Sequence, residues 1–188
     1  MAGCLWAWRL ACGDTQYFGP ELSGTTGKAM KLDGKYKLNA SRPELWKALN
    51  DPEVLRSCTP GCKQMVANGD DAFDVVIEIG IASVKGRYTG HIAIRDRIPN
   101  EQYRLEVSGS GTAGFMNASG LIQLSEAGDA TAVEYAVEAH VGGLAAGLGQ
   151  RVMEGAAKLL VGQFFSCLET TLRSQRAARS GADSASST

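Results

Sequence analysis

Between Phe73 and Val141 apolar or very small residues alternate with polar ones. Gly86, Tyr88, Gly90, Ile92 and Ile94, preceded by Val84, share one phase, and Lys85, Arg87, Thr89, His91 and Arg95 share the other. A period of two is a β-strand with one dry and one wet face. The same alternation predicts strands over Leu32–Leu38, Cys62–Val66, Ala72–Ile79, Val84–Asp96, Glu101–Ser110, Met116–Ser125 and Thr131–Val141. Asn68-Gly69, Pro99-Asn100 and Gly128-Asp129 supply turns. Such short connections make neighbouring strands antiparallel, since a parallel pair needs a long crossover. About seven strands in one strongly curved sheet are expected.

Two short helices interrupt the strands early. In Ser41-Arg42-Pro43-Glu44 the serine and glutamate complete a capping box, and proline sits in the first turn. That helix carries Leu45, Trp46 and Leu49; Asp51-Pro52 starts another with Val54 and Leu55, and Thr59-Pro60-Gly61 turns the chain. From Gly143 onward the spacing changes. Leu144, Leu148, Val152, Ala156, Leu160, Phe164, Cys167 and Thr171 form a stripe, with Arg151, Glu154, Lys158, Glu169 and Arg173 mainly opposite. This predicts one long amphipathic helix laid on the sheet, which nothing else can cover. The expected class is α+β: a strongly bent antiparallel sheet gripping a C-terminal helix.

The inward face is short of both bulk and charge. Its residues expected to contact a ligand are Ile77, Ile79, Tyr88, Ile92, Tyr103, Leu105, Val107, Met116, Ala118, Tyr135 and Val137. Leu144, Leu148, Val152 and Phe164 join them from the helix. Gly86, Gly90 and Gly120 are expected to open the space, because an inward glycine removes volume and weakens a strand. Large apolar residues also suit an ordinary packed core, so a cavity and a filled core remain alternatives here. No acid, base or histidine falls on this face, whereas acid–base or nucleophilic catalysis requires one beside the substrate. No catalytic residue is therefore assigned. The glycine-rich run Gly142–Gly149 packs the helix closely or forms a mobile lip gated by Leu144 and Leu148.

Composition narrows the partners. A formal net charge of -1 offers no basic patch for nucleic acid. Five scattered cysteines are expected to be free thiols in a reducing compartment. Cys58 and Cys62 bracket a turn without the further ligands a zinc site needs. His91 and His140 fall on the wet phase and are expected in solvent, so no metal site is assigned. Gly109-Ser110-Gly111-Thr112-Ala113-Gly114 fits GxGxxG, but a strand follows it where a dinucleotide fold requires a helix. No run reaches the roughly 20 apolar residues of a membrane-spanning helix. Residues 1–29 lack period and read as a disordered extension without a signal peptide's basic start, with Met30 as the start of the domain proper. Residues 30–176 form a single ligand-binding domain, and 177–188 read as a disordered tail.

Several segments resemble one family. They are Gly34, Asp51-Pro52-Glu53-Val54-Leu55, Cys58-Thr59-Pro60-Gly61-Cys62, Val84-Lys85-Gly86 with Gly90, and Gly111 with Gly114-Phe115. The run from Gly142-Gly143-Leu144-Ala145 through Phe164-Phe165 completes the set. From about Met30 to about Arg176 they are similar to the CoxG family of carbon monoxide dehydrogenase subunits. The element order alone matches its wider START/Bet v1-like (SRPBCC) superfamily of helix-grip folds. The resemblance implies a non-catalytic accessory protein of a molybdenum-containing CO dehydrogenase-type hydroxylase. It implies a hydrophobic cavity, a bound respiratory quinone and no covalent cofactor. It also implies a cytoplasmic location with peripheral contact at the inner face of the membrane. Alternatives are a polyketide cyclase or dehydratase-like enzyme using a tyrosine-lined pocket, a general carrier of lipophilic molecules, and a protein-binding module without a ligand.

Overall fold

A computed structural model describes residues 27–80 and 85–185. The strands are β1 (Lys28–Leu38), β2 (Cys62–Ala67), β3 (Ala72–Ile79), β4 (Gly86–Ile98), β5 (Gln102–Gly111), β6 (Gly114–Ala127) and β7 (Ala130–Gly142). The helices are α1 (Arg42–Leu49), α2 (Pro52–Cys58) and α3 (Gln150–Ala185), with a 3-10 helix over Gly143–Leu148. The seven strands form one antiparallel sheet in the order β1-β7-β6-β5-β4-β3-β2. Each hairpin pairs sequence neighbours; only β1 crosses the molecule, to pair with β7 along its whole length from Lys28 opposite Val141 to Leu38 opposite Thr131. The helix-grip architecture expected from the alternation is the one that forms.

The local signals act as their chemistry requires. The Ser41 backbone N–H donates to Glu44 Oε2 at 3.1 Å, and Asp51 Oδ1 accepts from the Glu53 N–H at 2.9 Å, capping α1 and α2. The turns fall where expected, with left-handed backbone at Gly69, Asn100 and Gly128. On the convex face charges pair across strands: Lys35 with Glu134, Lys63 with Glu78, Arg95 with Glu106.

Boundaries differ at both ends of the domain. β1 begins at Lys28, so residues 28 and 29 belong to the sheet; residues 1–26 of the expected extension, including Cys4 and Cys12, lie outside the described residues, as do 81–84 with Val84. α3 continues to Ala185, so most of the segment 177–188 extends the helix where a disordered tail was expected.

Two further expectations are corrected. The element after β7 is not one helix. The 3-10 segment ends at Gly149, whose φ of +81° breaks the helical phase, and α3 starts afresh at Gln150. The cysteines are not all free thiols either: Cys58 of α2 and Cys167 of α3 form a disulfide across a Cα–Cα distance of 5.3 Å, while Cys62 stays free. It fastens the small helices to the long one beside the main core, where Leu45 and Leu168 are wholly buried.

Candidate functional site

One end of the concave face is filled. The buried core joins Leu32 and Leu38 of β1, Leu45 and Leu49 of α1, Val133 and Tyr135 of β7, and Phe165, Leu168 and Leu172 of α3. Tyr135 stacks with Tyr36 and Phe165, and Phe164 meets the edge of Phe165 at 5.4 Å. Gly34 exists for this ring: a Cβ there would collide with the Tyr135 phenol. A second cluster places Tyr103 at 5.7 Å, edge-on, from Trp46 of α1, with Ile92 and Leu105 around it. Burial pushes the Tyr103 phenol up, away from ionisation.

The other end is open. Beneath the start of α3 lies a cavity of about 190 Å³. Its floor is Val75, Ile77 and Ile79 of β3, Tyr88 and Gly90 of β4, Val107 and Gly109 of β5, and Met116 of β6. Met30, Phe115 and Val141 close one side. Ala145 of the 3-10 helix and Met153, Ala156, Ala157 and Leu160 of α3 form the roof. The space exists because small residues face small residues: the directly paired Gly90 and Gly109 lie below, and alanines lie above. A dry cavity of about 150 Å³ accepts a benzene ring, so this one takes a single substituted ring or a short branched chain. Among the described residues no charged side chain lines it; Thr89 and Ser108 border it, and Tyr88 brings a phenol. Burial raises the Tyr88 pKa and holds its hydroxyl protonated.

Of the residues expected at a ligand, the cavity gathers Ile77, Ile79, Tyr88, Gly90, Val107 and Met116. The others are placed elsewhere. Tyr103, Ile92 and Leu105 belong to the second cluster, and Tyr135, Val137 and Phe164 to the main core, because α1 and the aromatic turn of α3 fill that end. Ala118 pairs with Val107 and Ala139 without reaching the cavity. Gly120 opens nothing; the Val137 side chain occupies its free face, 2.5 Å from where a Cβ would stand. Gly86 lies beside the Tyr88 ring and Thr112. Leu144 is 79 % exposed and Val152 45 % exposed, and neither they nor Leu148 line the cavity.

The expected stripe included Ala156 and Leu160 of the roof but missed Ala145, Met153 and Ala157, because it followed an i, i+4 ladder. At 100° per residue that ladder drifts by about 40° per step and crosses the Gly149 break. The inward face of α3 shares Ala156 and Leu160 with that stripe and otherwise runs through Met153, Phe165, Leu168 and Leu172. Ala145 and Ala157, flanking the Ala156 already on the stripe in this roof, carried the missing signal: small residues among bulky ones, opposite glycines.

Outside the cavity His91 and His140 point to solvent, His91 Nδ1 lying 2.9 Å from Asp74 Oδ1. Burial pushes the Cys62 thiol up, which disfavours the thiolate. Among the described residues no cluster of His, Cys, Asp and Glu could hold a metal, and no helix is long and apolar enough to cross a membrane.

The family model for CoxG, a subunit of carbon monoxide dehydrogenase, matches residues 34–173. A conserved protein from Geobacillus kaustophilus is 38% identical, with a TM-score of 0.76 over 77% of this chain and 96% of that one. A START superfamily protein from Mycobacterium smegmatis shares the fold at 14% identity, with a TM-score of 0.63 over 77% and 98% of the two chains. So does a norcoclaurine synthase from Thalictrum, at 13% identity and a TM-score of 0.57 over 81% and 99%. No curated protein matches the chain.

Proposed function

Since the chain belongs to the CoxG family of carbon monoxide dehydrogenase subunits, we propose that it is a non-catalytic accessory protein of a molybdenum-containing CO dehydrogenase-type hydroxylase, carrying a quinone-like lipophile between enzyme and membrane. The observation behind this reading is the cavity, mostly apolar and, among the described residues, lined by no carboxylate, amine, imidazole or thiol. A hydrolytic or cyclising enzyme needs such a group beside its substrate; a carrier needs only dry volume. The cavity admits one ring or about one isoprene unit, so a longer tail runs out beneath the 3-10 helix past the exposed Leu144. The Tyr88 ring lies on the lining, where it packs against a bound ring. The apolar lip then meets the membrane peripherally. Transfer out of a bilayer gains less than transfer out of water, where each buried methylene is worth about 0.8 kcal/mol. Loading and unloading against the membrane are accordingly near balance, as a shuttle requires.

Titration of a short-chain quinone against the wild type and Met153→Asp tests the proposal. Met153 lines the cavity in the first turn of α3, where a carboxylate is compatible with the helix. Saturable binding to the wild type and its loss in the variant are expected. No saturable binding, or equal affinity in the variant, ends the proposal.

A further inference from the structure

Back to back with the cavity, the convex face of the sheet holds an open trench of about 600 Å³. Its residues lie in two cross-strand rows: Val76, Thr89, Ser110 and Phe115 in one, and Asp74, His91, Ser108 and Asn117 in the other. Between the rows the floor is the backbone of the Gly90–Gly109 pair, so one layer of peptide separates trench from cavity. Gln64 of β2 completes a wall.

The chemistry of this surface differs from the rest of the convex face. Elsewhere lysines and arginines pair with carboxylates. Here five neutral side chains converge, those of Gln64, Thr89, Ser108, Ser110 and Asn117, and among the described residues none hydrogen-bonds to another side chain. The single carboxylate is already matched. Asp74 accepts from Asn68 Nδ2 at 3.0 Å through one oxygen and lies 2.9 Å from His91 Nδ1 through the other. Against a carboxylate, Nδ1 is the donor. Phe115, half-buried over Gly142, adds an apolar ring at one end.

We infer that this trench is a second binding site, distinct from the cavity, for an uncharged polyhydroxylated ring of monosaccharide size. Such a molecule offers hydroxyls that both donate and accept, as serine, threonine and amide side chains require, and an apolar C–H face for Phe115. A charged ligand finds no uncompensated counter-charge here. The volume lies in the range of small-molecule sites, and the openness of the trench keeps affinity modest, with Kd on the order of 1 mM.

Saturation-transfer NMR on the full chain, with the methyl glycosides of glucose, galactose and mannose as probes, tests this. Amide-shift mapping identifies the site. At least one glycoside is expected to receive saturation and to shift the amides of His91, Ser110 and Asn117, which line the trench and not the cavity. The double variant Ser110→Val/Asn117→Leu, at two residues that do not line the cavity, keeps strand-compatible residues and removes two hydrogen-bonding groups, so it weakens binding about tenfold or more. Its unfolding midpoint and its binding of a hydrophobic cavity probe stay at wild-type values, which separates loss of the site from loss of fold. Silence from all three glycosides, shifts confined to cavity amides, or undiminished binding to the double variant would each overturn the inference. An interface for a protein partner alone is the reading left by the first of these.

Discussion

Replacing Ala156 by leucine should make the protein more stable and less able to bind. An empty apolar cavity lowers stability by about 24 cal/mol per Å³, so 190 Å³ corresponds to at most about 4.6 kcal/mol. Leucine adds three carbons from the roof, opposite the paired glycines. Their burial is worth about 0.8 kcal/mol each, about 2.4 kcal/mol in all, if they enter without strain. Imperfect fit and the slightly lower helix propensity reduce the expected gain to about 1–2 kcal/mol. For a chain of this size that raises Tm by about 2–8 °C. The assay is thermal unfolding followed by circular dichroism, run beside a fluorescence titration with a hydrophobic probe. Binding should fall by about tenfold or more. A variant less stable than wild type by about 1 kcal/mol would show that the space is not there. A stabilised variant with unchanged binding would place the probe elsewhere.

The Cys58–Cys167 bridge spans 109 residues, a loop whose closure is worth up to about 4.7 kcal/mol and in practice about 2–4. Reduction, or Cys58→Ala with Cys167→Ala, should lower the urea midpoint accordingly; labelling of both thiols in unreduced, unfolded protein would disprove the bridge. Glu44 accepts from Arg176 at 2.8 Å and from Ser41, and these bonds lower its pKa to about 2 from an ordinary 4.5. Its folded pKa being depressed, the pair stabilises fully above about pH 5, and the contribution fades as pH falls toward 2. Glu44→Gln should thus be about 1 kcal/mol less stable than wild type at pH 7, discounted for exposure, and equal to it near pH 2 in equilibrium unfolding. Gly120→Ala should be destabilised by about 1–3 kcal/mol, because its methyl meets Val137, whereas Gly147→Ala, with open space around it, should change little. Equal unfolding midpoints for these two would contradict the packing described at Gly120.

The strands were legible because an antiparallel sheet with one wet face writes its register into the chain as a period of two. The phase that put Tyr88, Gly90 and Val107 inward is the phase they adopt. The capping box at Ser41 and the turns were local events with local signatures. What escaped reading depends on contacts distant in sequence. Nothing near Cys58 announces a sulfur 109 residues away. Tyr103 and Tyr135 share the inward face with Tyr88, and only the docking of Trp46 and Phe165 decides that the first two are packed while Tyr88 borders a void. The floor glycine at 90 pointed to a cavity, but its position also required Ala145 and Ala157 of the roof, hidden by a helix phase carried through the glycine at 149.

The disulfide also has a mechanical consequence. A pull applied between the two ends of the chain is carried by the Cys58–Cys167 bond, which short-circuits β2 through β7, the 3-10 helix and the first half of α3. Only β1, α1 and most of α2 on one side, and the end of α3 on the other, can be drawn out under load. Five of the strands that build the cavity floor and side hang within a closed covalent loop, slack with respect to tension. Tension from the N-terminal end therefore reaches the cavity only through Met30 of β1, and its floor stays unloaded.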